Sequence, residues 1–394
     1  QVVRVVAAAE EERFSREKHD NSFPENAVEH CLEEKDLDVN DLDKIVFYEK
    51  PIIKFDRFLE TTARSFPRGF KLFSQELPEW VSTKLRIRKV IRKNTGFDGE
   101  IEFVEHHRSH AASAFYPSPY DEAAVLTVDG IGEKVSNQLW GAENGDLEPI
   151  KSIEFPDSVG LLYSTVTAFL GFRVNNGEFK VMGLASYGEP SYREEFEEMI
   201  EINSDGSYEL NQEYFAYQHS KKMWSKKLIE LLGKPRSEGD SLTQRHKDIA
   251  ATVQQITEEI MLKQVDHIYD LVDSENLCMA GGVALNSVSN AVVEKHSEFE
   301  NVWIQPAAGD SGGALGAAID RSQEPVESMQ DVYLGPEFSN SQIKKKLKKS
   351  NFDYKKIDSD LDEKIADELV QGKIAAVFRG RMEWGPRALG NRSI

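Results

Sequence analysis

The sequence predicts an α/β fold, and three observations predict it. Short apolar, β-branched runs end in Gly or Asp, long stretches of helical periodicity separate them, and glycines and carboxylates gather where the short runs stop. Strands that alternate with helices imply a sheet with helices packed on it. In such sheets ligands bind at the carboxyl ends of the strands.

Four runs read as buried strands followed by tight turns. Ala123–Asp129 (AAVLTVD) runs into Gly130-Ile131-Gly132, and Leu277–Ala280 runs into Gly281-Gly282. Val302–Gln305 (VWIQ) leads to Pro306 and then Gly309-Asp310, and Ile374–Phe378 leads to Gly380. The clearest helix is Asp248–Val272, where Ile249, Val253, Ile256, Ile260, Val265, Ile268 and Leu271 fall on one face. Helices are also predicted over Pro24–Leu37, Pro78–Lys93 and Tyr192–Ile202. The polar stretch Gln323–Gln330 reads as a linker. It separates a main domain, residues 1–325, from a C-terminal piece, residues 331–394.

Composition narrows the function. The chain has 394 residues, enough for two or three domains, and its 40 % hydrophobic and 29 % charged content suits a soluble globular protein. No apolar run reaches the length of a membrane span. The net charge is −20. An acidic surface repels nucleic-acid phosphates and anionic membranes, so neither is expected as a partner. Cys31 and Cys278 are the only cysteines, which argues against a disulfide framework or a cysteine-based zinc site and for a reducing, cytoplasmic setting.

The sharpest local feature is Glu105-His106-His107-Arg108-Ser109-His110. His106 and His110 are four apart, so on a helix both imidazoles can reach one cation; a helix start with solvated or capped histidines is the other reading. Asp129 and Asp310 stand at strand ends, where a carboxylate forms a turn or serves as a ligand. Two imidazoles with two carboxylates and no sulfur suit Fe(II) or another divalent transition metal. The turns Gly281-Gly282 to Asn286 and Gly309 to Gly313 resemble nucleotide loops, in which backbone and helix N-terminus meet phosphate. Arg381, Arg387 and Arg392 crowd a turn-rich stretch in an acidic chain, which favours an anion site.

Seven ordered motifs together resemble the O-carbamoyltransferase family, which includes the tobramycin, cephem and nodulation-factor enzymes. They are EERFSR with Lys18-His19-Asp20, HHRSHAASAF, TVDGIGE, EFKVMGLASYG, MAGGVALN, QPAAGDSGGALGAA and GRMEWGPRALGNRSI. The resemblance implies an actin-like, sugar-kinase-like main domain followed by a YrdC-like domain. It implies that carbamoyl phosphate and ATP yield carbamoyl adenylate, whose carbamoyl group passes to a hydroxyl of a small acceptor, antibiotic-, sugar- or oligosaccharide-like. Carried over by position, the metal ligands are His106, His110, Asp129 and Asp310. The carbamoyl-adenylate contacts include Lys18, Gly160, Gly281, Gly282 and Asn286, and Arg387 becomes a phosphate contact. Lys18, His106 and His110 carry the catalytic roles, and a homodimer is the expected assembly.

Acceptor contacts are sought in Phe55–Trp80, Gln212–Gln218 and Glu49-Lys50. The family begins with a further strand and a turn carrying a His-Asp pair, and this chain stops within the motif that opens the YrdC-like domain. It is therefore expected to be truncated at both ends and unable to make carbamoyl adenylate alone. The competing readings are a tRNA threonylcarbamoyl transferase of the sibling family and a non-catalytic actin-like ATP-binding module. The ERFSR and GPRALG motifs and the acidic charge weigh against the first. The His pair and both Asp residues lack a role in the second.

Overall fold

The computed structural model describes residues 2–322, 324–357 and 359–394; Gln323, the first residue of the expected linker, lies outside the described residues. The chain divides into two compact units. One is built mainly from Leu42–Ser328, the other from Val5–Asp41 with Met329–Ile394.

The first unit is α/β around a mixed five-stranded sheet. Its strands lie in the order Asp146–Glu154, Val135–Glu143, Glu122–Val128, Asn276–Ala280, Asn301–Ile304. Glu122–Val128 runs antiparallel to Val135–Glu143 and parallel to Asn276–Ala280, with Val125 opposite both Trp140 and Cys278. Its apolar run is buried on both faces, which explains the absence of polar alternation. Ala124, Leu126 and Val128 face one core, and Ala123 and Val125 face the other.

The two outer antiparallel strands form a hairpin that the sequence reading did not anticipate. Its turn is Asn144-Gly145, both at positive φ (53° and 85°), the pairing that a two-residue hairpin turn demands. Pro149, which has no N–H to donate, sits on the edge strand.

The long helix Gln244–Tyr269 covers one face of the sheet, burying Ile249, Val253, Ile256, Ile260, Val265 and Ile268. Its start is set by a capping box between Thr243 and His246. On the other face lies His106–Phe115, a helix with nine of its ten residues buried. Helix Asp310–Asp320 packs on it so closely that a Cβ on Gly316 would lie 1.9 Å from the Ser109 carbonyl oxygen. The small residues of GDSGGALGAA thus serve helix contact as well as the turn.

Several predicted elements end elsewhere. Pro78 does not start a helix; it lies inside Phe70–Ser82, and Ile87–Thr95 is separate. The reading Tyr192–Ile202 splits into a short helix, Arg193–Glu197, and a strand, Ile200–Ile202. Only Val377–Phe378 of Ile374–Phe378 is strand.

In the second unit, Val5–Asp41 is tied to the C-terminal piece rather than to the main domain in which the sequence reading placed it. The Ala8 N–H donates to the Leu334 carbonyl (3.2 Å), and Arg13 donates to the Gly385 carbonyl (3.0 Å). Arg381 pairs with Glu34 at 3.4 Å. Buried Glu383 organises the turn-rich end: its Oε1 accepts from the Leu389, Asn391 and Arg392 N–H groups, and its Oε2 meets the Arg392 guanidinium at 3.1 Å.

Candidate metal centre

Three parallel strands end beside one another, and the residues just past those ends make the site. Asp129 follows Glu122–Val128, the Gly281-Gly282 turn follows Asn276–Ala280, and Asp310 opens the helix that comes after Asn301–Ile304. The histidine helix lies across them. One turn of helix separates His106 from His110, so both imidazoles project to the same side.

His106 Nε2 lies 2.8 Å from Asp129 Oδ2 and 3.1 Å from His110 Nε2. His110 Nε2 is 3.6 Å from Asp129 Oδ2, and each imidazole Nε2 is 3.7 Å from Asp310 Oδ1. The four ligand atoms lie within 4.8 Å of one another. A metal with ligand bonds of about 2.1 Å separates neighbouring ligands by roughly 3.0–3.4 Å, so this spacing fits a shared cation. Both His side chains are buried, while Asp310 is 60 % exposed, so the cluster has one open side.

Each member is held by a neighbour. Asp129 Oδ1 accepts from the N–H groups of Gly130 (2.8 Å) and Gly282 (3.2 Å), which turns Oδ2 toward the imidazoles. Burial opposes ionisation of Asp129, but the hydrogen bond with His106 and the nearby His110 imidazole outweigh it and hold its pKa well below the usual carboxylate range. Asp310 is shifted in the same direction: loss of water where its carboxylate faces the imidazoles raises its pKa, and nearby His110 leads the opposing effects. For His110, burial favours the neutral ring, yet the two carboxylates facing it, Asp129 and Asp310, raise its pKa to about 9. The Nδ1 atoms of His106 and His110 are buried and have no hydrogen-bond partner among the described residues.

His107 points elsewhere. Its Nδ1 meets Thr127 Oγ1 at 2.9 Å and its Nε2 meets the Val135 carbonyl at 3.0 Å. Burial pushes its pKa well below the ordinary value. It is a core histidine and no part of the ligand set.

Two residues of the site escape sequence reasoning. Glu133 accepts the His106 N–H with both oxygens (3.1 and 3.0 Å) and the Lys50 N–H at 2.7 Å, so it caps the histidine helix from outside that helix. The Tyr48 ring stands 5.6 Å from that of His106, on the side of the site where Asp310 acts on its hydroxyl. Burial first, and Asp310 next, raise the Tyr48 pKa well above its usual value. Adjacent Glu49-Lys50 and the TVDGIGE motif are the nearest sequence signals.

The glycines named from sequence gather at Asp129. A Cβ on Gly160 would lie 2.6 Å from the Asp129 carbonyl oxygen, and one on Gly282 would lie 2.7 Å from Asp129 Oδ1. Gly281 has φ of 95°, and its Cβ would strike the Val128 carbonyl at 2.2 Å. The space that a side chain at 282 would need is therefore taken by the Asp129 carboxylate. The Asn286 side chain caps helix Ser287–His296, accepting from Val288 and Ser289 N–H, and donates to Gln254 at 2.9 Å. Lys18 and Arg387 belong to the second unit.

Comparison with known proteins gives a consistent answer. Residues 2–319 match the carbamoyltransferase N-terminus family model, and residues 366–394 match the carbamoyltransferase C-terminus model. An uncharacterised protein of Synechocystis is 45 % identical over 99 % of this chain and 67 % of its own length. The nodulation protein NolNO of Sinorhizobium fredii is 32 % identical over 99 % of this chain and 56 % of its own length. The nodulation protein NolO of Bradyrhizobium diazoefficiens is 34 % identical over 74 % of this chain and 53 % of its own length. The chain thus spans between about half and two thirds of the length of these relatives. Among solved structures, component A of the (R)-2-hydroxyglutaryl-CoA dehydratase of Acidaminococcus fermentans is 14 % identical, with a TM-score of 0.40 over 76 % of this chain and 84 % of that one.

Proposed function

Since the chain belongs to the carbamoyltransferase family, we propose that it moves a carbamoyl group from carbamoyl adenylate, made from carbamoyl phosphate and ATP, to a hydroxyl of a small sugar- or antibiotic-like acceptor, with the help of one divalent transition metal. The single observation that supports the metal-assisted form is the convergence of His106, His110, Asp129 and Asp310 within 4.8 Å in a chain of that family. The main body is read as an actin-like transfer domain, and residues 331–394 as the opening of the domain that forms the adenylate.

His106, His110, Asp129 and Asp310 would hold the metal. When bound, such a cation supplies a Lewis acid for carbonyl or phosphate oxygens. The protein's own residues do the rest. Gly130 and Gly282 N–H groups fix the Asp129 carboxylate, and Glu133 fixes the start of the histidine helix. Lys18 and Arg387 are read as phosphate contacts of the second unit. The acceptor hydroxyl oxygen bonds to the carbamoyl carbon, the carbon–oxygen bond to phosphate breaks, AMP leaves with the electron pair, and the hydroxyl proton passes to water.

The test is transfer of label from radiolabelled carbamoyl adenylate to a panel of aminoglycoside and chitooligosaccharide acceptors. The expected result is O-carbamoylated product with one AMP released per group transferred, abolished in Asp129→Asn. Transfer of label to adenosine in tRNA, with none to the panel, would contradict the reading.

A further inference from the structure

The net charge of −20 is not evenly spread. Residues 61–95 carry nine Lys and Arg and two Glu. This segment holds the end of helix Pro51–Arg64, helix Phe70–Ser82 and helix Ile87–Thr95. Between Thr61 and Gln75 there is no carboxylate at all, while Arg64, Arg68 and Lys71 are exposed. At the same turn Phe66 is 69 % exposed and Phe70 is 56 % exposed. The helices themselves leave Ile52, Leu59 and Val81 in solvent. Farther along, Arg86, Arg88, Lys89, Arg92 and Lys93 are exposed on and beside the short third helix.

The local backbone is built to present this turn. Ser65 is buried and donates to the Thr61 carbonyl (2.8 Å), and the Gly69 N–H donates to the Ser65 carbonyl (3.0 Å). A Cβ on Gly69 would lie 2.1 Å from Ser65 Oγ, so the two helices meet closely and the two Phe rings are left on the outside. Within the hairpin, Phe55, Phe58, Phe73 and Trp80 pack together, with Phe58 stacked on both Phe73 and Trp80 at 5.2 and 5.5 Å. The exposed rings therefore stand on a firm aromatic base.

We propose that this helical hairpin is a peripheral docking surface for an anionic lipid bilayer, with Phe66 and Phe70 entering the interface and Arg64, Arg68 and Lys71 meeting the headgroups. Large exposed aromatic rings ringed by basic side chains are suited to the boundary between headgroups and acyl chains. Each Lys or Arg near an anionic membrane surface strengthens attachment several-fold. The charge complementarity is local and opposes the sign of the whole chain, so it acts at short range through the hairpin. Leu59, exposed seven residues before Phe66, adds aliphatic surface that hydrocarbon covers and that base stacking does not use. The proposal is independent of the transfer reaction.

The test is co-sedimentation of the purified protein with phosphatidylcholine vesicles and with phosphatidylcholine–phosphatidylglycerol vesicles. The expected result is salt-sensitive binding to the anionic vesicles only. Arg64→Gln/Arg68→Gln/Lys71→Gln should weaken it by roughly a hundredfold, and Phe66→Ser/Phe70→Ser by a similar factor of about a hundred, with unchanged circular dichroism. Absence of binding to anionic vesicles at low salt would overturn the proposal. So would vesicle binding that the double Phe variant retains alongside equally tight binding of a polyuridylate oligonucleotide, which would make the hairpin a plain polyanion patch. A Phe variant that changes the oligomeric state of a protein that ignores vesicles would make it a contact between copies.

Discussion

At Glu133 a single carboxylate ties the Lys50 N–H to the first N–H of the histidine helix, 27 residues away in sequence from His106. It satisfies an N–H that no helical carbonyl can reach and places negative charge at the helix N-terminus. Glu133→Ala should lower stability by about 1–3 kcal/mol. Because the cap sets where His106 stands, it should also weaken metal binding by about ten- to a hundredfold. Chemical denaturation and metal titration of the variant check this, and unchanged metal affinity would make Glu133 merely structural. His106, His110, Asp129 and Asp310 are legible in the sequence because their side-chain chemistry and their places after glycine-punctuated strands mark them. Glu133 and Tyr48 are not, because their roles arise from contacts between distant segments. The setting of His107 is hidden for the same reason: only the fold reveals that Thr127 and Val135 hold both its nitrogens.

At the scale of elements, the buried strands and the long helix Gln244–Tyr269 are legible from periodicity. The hairpin Val135–Glu154 carries its own signal at Asn144-Gly145, but its strands alternate too weakly to stand out. Pro78 is tolerated within a helix that tertiary packing supports, with Trp80 buried just beyond it. The turn between Gly385 and Arg392 depends on Glu383, whose side chain is buried. Burial raises its pKa, but the backbone N–H groups around it, those of Leu389, Asn391 and Arg392 among them, outweigh this and hold it below the ordinary value. A depressed carboxylate pKa adds stability above the unfolded value, and that stability is lost as pH falls through the folded value. Glu383→Gln should therefore cost about 1.5–3 kcal/mol near neutral pH and progressively less below about pH 4. Hydrogen exchange of the Leu389 and Asn391 amides across that range measures it. A cost that stays constant with pH would contradict this account of the turn.

For the whole molecule, the sequence makes the α/β class and the candidate ligand cluster visible, but not the grouping of Val5–Asp41 with the C-terminal piece. That grouping rests on backbone contacts such as Ala8 to Leu334, which carry no mark in either segment. The site draws on a helix, a strand end and a second helix of one unit, so a bound metal stabilises the arrangement of all three. Free metal at a hundred times its dissociation constant would add about 2.7 kcal/mol. Anaerobic titration of iron(II) into metal-free protein, for the parent, His106→Ala and Asp129→Asn, decides whether these four residues hold one metal. The expected result is one iron per parent chain and none at the same concentrations in either variant, with all three equally folded by circular dichroism. One iron per chain in both variants would contradict it.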